Sequence, residues 1–397
     1  MKISVRKIML GVVTAVSAMS MAGCATASAG SKGNASTGST VKIGMNMELS
    51  GAAAGYGNQM KQGFEMAVKQ INAKGGIKVN GKKIKIKTVI RDNKSTTSGS
   101  SSVAAQLAGS DEVSAIVGPA TTNDGTAAIP NITKAQVPSV SPSATDPNYT
   151  LQKNGKVQPF VFRACFENNF QGETAAHFAD NTLKAKNVAV LEDNSSDYGT
   201  GLAKAFKGAF KGTVVSTQSF SEGDKDFNAL LTAIKGKKID AIYAPGYYSE
   251  LGLIIKQARS MGITVPIIGS DGMADPKLAE IAGSSNASDI YYTTPFSTKS
   301  GSTNSMAKTF MADFKKEYKT DAPTFSALAY DSVLMVKQAI EDANSTNSVK
   351  IAKALAKIKN MPAVTGEMTV NKSHDPEKPI MIEKMTNGKV VSAVEQK

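Results

Sequence analysis

Side chains able to make or break bonds are scarce in this chain. Its 397 residues include two cysteines, Cys24 and Cys165, and two histidines, His177 and His374. Their spacing matches no zinc-ligand pattern. No GxSxG nucleophile elbow and no Cys–His pair is present. The segment GAAAGYG at 51–57 lacks the GxGxxG spacing of a dinucleotide loop and the lysine of a P-loop. Catalysis, a metal and a cofactor are therefore not expected. His177 lies in a helical pattern beside Ala175, Ala176 and Phe178, and Cys165 in an apolar run with Phe160, Val161, Phe162 and Phe166. Both read as structural, Cys165 as a buried free thiol. What remains is the chemistry of recognition: carboxylates, hydroxyls and phenols that hold a ligand without transforming it.

Cys24 has a different context. Lys2, Arg6 and Lys7 form a basic head, and an uncharged stretch of apolar and small residues runs from Ile8 to Gly23. That is the layout of a secretory signal, too short to span a membrane comfortably. It ends in Met21-Ala22-Gly23-Cys24, which resembles a bacterial lipobox with Met in place of the usual Leu. Residues 1–23 then form a lipoprotein signal peptide and Cys24 carries the lipid, with enough acyl CH₂ groups for stable anchoring. The alternative is an ordinary signal cut near Ala27 or Ala29. Residues 24–40, rich in Ala, Ser, Gly and Thr, read as a flexible tether.

Three of the thirteen net positive charges lie in the first seven residues, leaving about +10 on the rest. The lysines are scattered, so nucleic acid is not the expected partner. An anionic envelope or a plain solvated surface suits the excess better.

The recognition residues need elements to position them. Roughly 357 residues follow the tether, enough for two domains. Val41–Glu48 reads as a first strand. Met60, Phe64, Ala67, Val68 and Ile71 recur at helical steps before Gly75-Gly76. Ile84 to Ile90, Val113 to Val117 and Pro138 to Ser141 are further strands. The pattern restarts with strands at 187–192, 214–220, 239–244 and 265–269, separated by helices. Strands alternating with helices predict parallel sheets covered on both faces. The halves echo each other: Tyr56-Gly57 with Tyr198-Gly199, SAIVGPATTND (114–124) with DAIYAPGYYSE (240–250), QVPSVSPSATDP (136–147) with TVPIIGSDGMADP (264–276). The fold class expected is α/β, two doubly wound lobes. The tail from 302, with long helical patterns and then short strands, recrosses between them as a multi-strand hinge. Lobe 1 is assigned 41–165 plus 297–377, and lobe 2 166–296 plus 378–397. Ligands of open parallel sheets bind beyond the carboxyl ends of the strands. Tyr56, Thr121-Thr122 and Ser143-Ala144-Thr145 then line one rim, and Tyr198, Tyr247 and Asp271 the other, with a ligand cleft between.

At VKIGMNMELSG, YGNQMKQGFEMAVKQINAKGGI, GPATT, VPSVSPSATDP, SSDYGTGLAKAF and APGYYSELG the chain resembles the leucine/isoleucine/valine-binding proteins of ABC transporters, with a type I periplasmic binding fold. The resemblance covers essentially all of 41–397. A disulfide of some members has no counterpart here. The resemblance implies a small amino-acid-like ligand, a branched-chain amino acid favoured. Its carboxylate would meet the hydroxyls of Thr122 and Thr145 and backbone groups at Ser143 and Thr145. Its ammonium would meet Asp271, where close relatives carry Glu. Tyr56, Tyr198, Tyr247 and Phe325 would wall the side-chain pocket. Structural alternatives stand beside these roles: helix capping by Thr122 and Thr145, packing of Tyr56 on its own lobe, and capping near Asp275 or pairing with a lysine by Asp271. The resemblance further implies ABC permease subunits as partners, a monomer, closure of the lobes on the ligand, and a place on the outer face of the cytoplasmic membrane; lipid anchoring with a long tether favours a single-membrane bacterium. A different ligand (amide, urea, aromatic acid or peptide) or a ligand-sensing receptor domain are the other readings.

Overall fold

The computed structural model describes residues 33–36, 38–300 and 304–396. The signal-peptide expectation and Cys24 lie outside them. Among the described residues no helix is long and apolar enough to cross a membrane.

The first half of the chain runs β1 (Thr40–Met47), α1 (Ala54–Ala73), β2 (Ile77–Val79), β3 (Lys82–Asp92), α2 (Thr97–Ala108), β4 (Ala115–Val117), α3 (Thr122–Ala135), β5 (Ser139–Ser141) and β6 (Val161–Arg163). Its sheet has the order β2-β3-β1-β4-β5-β6. All neighbours are parallel except β2 and β3, a hairpin turned at Asn80 and Gly81, both at positive φ. β1 is central, and Val41, Ile43, Met45 and Met47 are fully buried.

The second half continues with α4 (Asn168–Asn181), β7 (Asn187–Asp193), α5 (Asp197–Ala209), β8 (Thr213–Phe220), α6 (Asn228–Lys235), β9 (Ala241–Tyr243), α7 (Tyr248–Ser260), β10 (Ile267–Gly269), a 3₁₀ turn at Asp271–Met273, α8 (Lys277–Ala282) and β11 (Ile290–Thr294). Helices α9 (Ser305–Tyr318), α10 (Thr324–Ala343) and α11 (Ser348–Leu355) follow, then β12 (Ile380–Thr386) and β13 (Lys389–Gln396). The second sheet has the order β13-β12-β11-β10-β9-β7-β8. Its parallel part, β8-β7-β9-β10-β11, has the strand order of β3-β1-β4-β5-β6 in the first sheet: second, first, third, fourth, fifth. The echo between the sequence halves is thus a repeated topology, and the molecule is α/β with two lobes. β12 and β13 add antiparallel to β11. The chain passes from one sheet to the other after β6, after β11 and before β12.

Three local expectations change. Tyr56 and Tyr198, read from the sequence as rim residues at strand ends ahead of the helical patterns, sit in the first turns of α1 and α5. Glycines around them weaken helix propensity, but the Ser196 side chain accepts from the Gly199 amide and starts α5 early, and Tyr56 is held by packing against Phe325. The tether is shorter than 24–40: Asn34 bonds the Ala108 and Val113 carbonyls through its amide and exchanges hydrogen bonds with Ser348. Strands β2, β6 and β11 are short, and the sequence reading does not assign them.

Helix α10 lies along α1, and the crossing is tight at Gly63, where an added Cβ would fall inside the Ser326 carbonyl oxygen. Gly63→Ala is expected to lower the unfolding free energy by about 1–3 kcal/mol through overpacking. The same change at Gly208, whose Cβ position is open, should be neutral or raise stability by up to about 1 kcal/mol. Urea unfolding of the two variants checks both signs, and equal shifts would refute the packing argument.

Candidate functional site

The carboxyl ends of both parallel sheets face one cleft. On the lobe 1 side stand the first turns of α1 and α3 and the 142–146 loop after β5. On the lobe 2 side stand the first turns of α5 and α7 and the turn after β10. The inner part of the cleft is a cavity of about 20 Å³ lined by Tyr56, Ala120, Thr121, Ser143, Tyr198, Tyr247, Asp271, Gly272 and Phe325. An outer chamber of about 240 Å³ shares Thr121 and Tyr247 with it and adds Ser95, Asn123, Asp124 and Glu222. Neither wall contains a lysine or arginine.

Six of the eight expected ligand residues line the inner cavity: Tyr56, Ser143, Tyr198, Tyr247, Asp271 and Phe325. Thr122 and Thr145 are not among its walls. Thr122 follows the wall residue Thr121, Thr145 lies two residues past Ser143, and both of their hydroxyls are buried without a hydrogen bond. The capping alternative fails for both. Thr121, not Thr122, caps α3 by accepting from the Asp124 amide at 3.4 Å, and the residue preceding α4 is Glu167. Ser143 donates its hydroxyl to the Ala120 carbonyl at 2.7 Å, joining the loop to the start of α3.

Asp271 is 3 % exposed. Its Oδ1 accepts from the Tyr198 hydroxyl at 2.6 Å, and its amide donates to Gln171 Oε1 at 3.2 Å. It neither caps α8 nor pairs with a lysine. Burial pushes its carboxyl up to about 6, against the hydrogen bonds from Tyr198 and Gln171 that lower it. The aromatic wall is continuous. Tyr198 and Tyr247 stack in parallel at 5.0 Å, Tyr247 meets Tyr56 edge-on at 5.8 Å, and Tyr56 lies 4.8 Å from Phe325.

Tyr56 does not pack on its own lobe alone. Its hydroxyl donates to the Gly272 carbonyl at 2.6 Å and accepts from the Tyr248 amide at 3.1 Å. Tyr248 in turn donates to the Ala52 carbonyl at 2.8 Å and accepts from the Gly55 amide. Gln59 donates to Asp275 at 2.8 Å. A Cβ at Gly55 would collide with the Asp275 carboxylate, so glycine there lets the lobes meet. The lobes are in direct contact, a closed arrangement.

Several residues at this site escaped the sequence reading. Glu48, just past β1, is fully buried and accepts from the amides of Ala120 and Thr121 at 3.0 and 3.1 Å. Asp124 lies against it. Arg163, fully buried at the end of β6, donates to the carbonyls of Ala144 and Asp146 at 2.9 and 2.8 Å and pairs with Asp375 at 2.7 Å. It holds the 143–146 loop from behind. Gln171 braces Asp271 and accepts from the Thr293 hydroxyl at 2.7 Å. Glu48 carried one visible signal, an acid at the end of an apolar strand. Arg163 and Gln171 carried none, because their partners are distant in sequence.

Cys165 is a buried free thiol, raised to about 12 by burial. His177 is exposed on α4. Among the described residues no group of His, Cys, Asp and Glu could hold a metal ion.

The family model described as periplasmic binding protein matches residues 40–389. The Leu/Ile/Val-binding protein BraC3 of Rhizobium johnstonii is 32% identical over 358 residues, 89% of this chain and 94% of the relative. Among solved structures, a branched-chain amino acid transporter substrate binding protein of Streptococcus pneumoniae, in complex with isoleucine, aligns with a TM-score of 0.84 at 42% identity, covering 90% of this chain and all of that one. A leucine binding protein of Thermotoga maritima aligns with a TM-score of 0.81 at 31% identity, covering 90% of this chain and 98% of that one. A repeated doubly wound topology, a cleft at facing strand ends and these extended similarities agree: the chain belongs to the periplasmic binding protein family.

Proposed function

We propose that this chain is the extracytoplasmic substrate-binding component of an ABC importer, anchored by a lipid on Cys24, and that it captures a branched-chain amino acid by closure of two lobes. Capture rather than catalysis is the function assigned. The observation that carries the reading is the pairing of unlike partners in one cleft. A buried carboxylate, Asp271, stands on the lobe 2 rim. Two buried hydroxyls without partners, Thr122 and Thr145, stand on the lobe 1 rim. A zwitterion satisfies both, its ammonium on Asp271 and its carboxylate on the hydroxyls and on the amides at the start of α3. The relatives named for leucine, isoleucine and valine, and the neighbour holding isoleucine, support that ligand class.

The ligand's side chain would lie against Tyr56, Tyr198, Tyr247 and Phe325. Asp271 is one methylene shorter than Glu, so the ammonium sits closer to the lobe 2 wall. Lobe 1 takes 41–165 with 297–377 and lobe 2 takes 166–296 with 378–397, hinged where the chain crosses between the sheets. The contacts made by Tyr56 and Tyr248 then form on closure, and a ligand touching both rims favours that state. The closed monomer docks on permease subunits at the outer face of the cytoplasmic membrane.

Three experiments test the reading. Asp271→Ala leaves a buried ammonium unpaired and is expected to cost about 2–5 kcal/mol of binding to isoleucine, leucine or valine, read by calorimetry. Unchanged affinity removes Asp271 from the site. In the unaltered protein the bound ammonium favours ionised Asp271, whose carboxyl titrates near 6 when free. Between pH 6 and 7 affinity should therefore hold, and below pH 6 it should fall by up to about tenfold per unit. For the anchor, radioactive palmitate should label the protein and Cys24→Ser should abolish the label. A mutant that stays labelled refutes lipidation at Cys24.

A further inference from the structure

Beneath the start of α3 lies a pair of acids that ligand capture by the rims does not explain. Glu48 is fully buried and Asp124 is 4 % exposed. Their carboxyls are in hydrogen-bond contact with each other, and the Thr121 hydroxyl joins them, donating to Glu48 Oε1 at 3.3 Å and accepting from the Asp124 amide at 3.4 Å. Among the described residues neither acid has an ion pair. The groups facing them are of the same sign or neutral: Tyr149 toward Glu48, and Glu222 and Tyr247 toward Asp124 from lobe 2, with Asp193 and Glu250 behind. Two carboxyls in contact, out of water and without a cation, cannot both ionise.

Their position gives this pair a function. Glu48 occupies the amides of Ala120 and Thr121, the residues directly before Thr122. A ligand carboxylate bound at Thr122 therefore adds a negative charge next to the pair. We propose that Glu48 and Asp124 share one proton, and that this proton sets how tightly the ligand's carboxylate is held at the start of α3. The inference rests on the amino-acid reading of the site. With the proton in place the pair carries a single charge, and its hydrogen bond keeps Glu48 on the Ala120 and Thr121 amides just before α3. Without it, two charges meet the incoming carboxylate. Burial and the neighbouring Glu48 hold the Asp124 carboxyl up to about 8, so the change falls on the alkaline side of neutrality. Binding then favours the protonated pair, and protons are taken up with the ligand. Glu48 and Asp124 are positioning residues, acting through the Ala120–Thr121 segment before α3 rather than by touching the ligand.

Calorimetry of the full chain with isoleucine, from pH 6.5 to 9 in two buffers of different ionisation heat, reads both affinity and proton uptake. The unaltered protein should bind at least threefold more weakly at pH 9 than at pH 7, with net proton uptake at pH 8.5. Glu48→Gln and, independently, Asp124→Asn remove the like charge and should reduce the uptake and the slope to what the ligand's own ammonium contributes. The ligand's own ammonium titrates alike in all three proteins and cancels in the comparison. A melting curve confirms folding, and either folded variant decides the matter. A flat profile in the unaltered protein, or one slope shared by all three, overturns the shared proton while leaving the ligand reading intact. No isoleucine binding at any pH sinks the ligand reading and this inference with it.

Discussion

One buried guanidinium ties together the parts that must agree for this molecule to work. Arg163 ends β6, where the chain first leaves lobe 1. It holds the carbonyls of Ala144 and Asp146 in the rim loop, bonds the Thr150 hydroxyl, and pairs with Asp375 in the segment that returns toward β12. A lysine could not serve, since the planar fork reaches several acceptors in fixed directions. Taking such a charge out of water is costly, and removing either partner leaves the other stranded. The rim loop thus keeps its shape because the crossing segments are in place. Asn168, opening α4 just past that crossing, extends the link: its amide donates to the Thr145 carbonyl and its side chain to the Tyr198 carbonyl, one residue on each rim.

Closure uses a second set of contacts with a different character. The bonds made by Tyr56, Tyr248 and Gln59 between the lobes are few and directed, and most go to backbone groups. Each exchanges a bond to water for a bond to protein, so the net gain is small. That balance suits a hinged protein, because contacts strong enough to close it alone would leave the ligand little to contribute.

The electrostatics of the cleft run against those of the whole chain. The net charge is +13, yet the residues around the cleft include Glu48, Asp124, Glu222, Asp271 and Asp275, each raised by burial. First turns of four helices stand around it, and the two chambers of the cleft have no cationic side chain in their walls.

The amino-acid sequence by itself determined the repeated α/β plan, because alternating apolar runs and three echoed segments record the burial of each strand and helix locally. It also marked the strand ends where Tyr56, Ser143, Tyr198, Tyr247 and Asp271 gather, since topology sends ligands there. That Tyr56 and Tyr198 lie inside the first turns of their helices was not legible, because the glycines beside them lower helix propensity and are kept for close approach. Only the tertiary structure decided which threonine caps α3 and which two keep free hydroxyls. It alone brought Glu48 against Asp124 and Arg163 against the rim loop and Asp375. Those pairings join residues 17 to 212 positions apart, and burial, which gives them their strength by removing water, is a property of the packed chain and leaves no local pattern in the sequence.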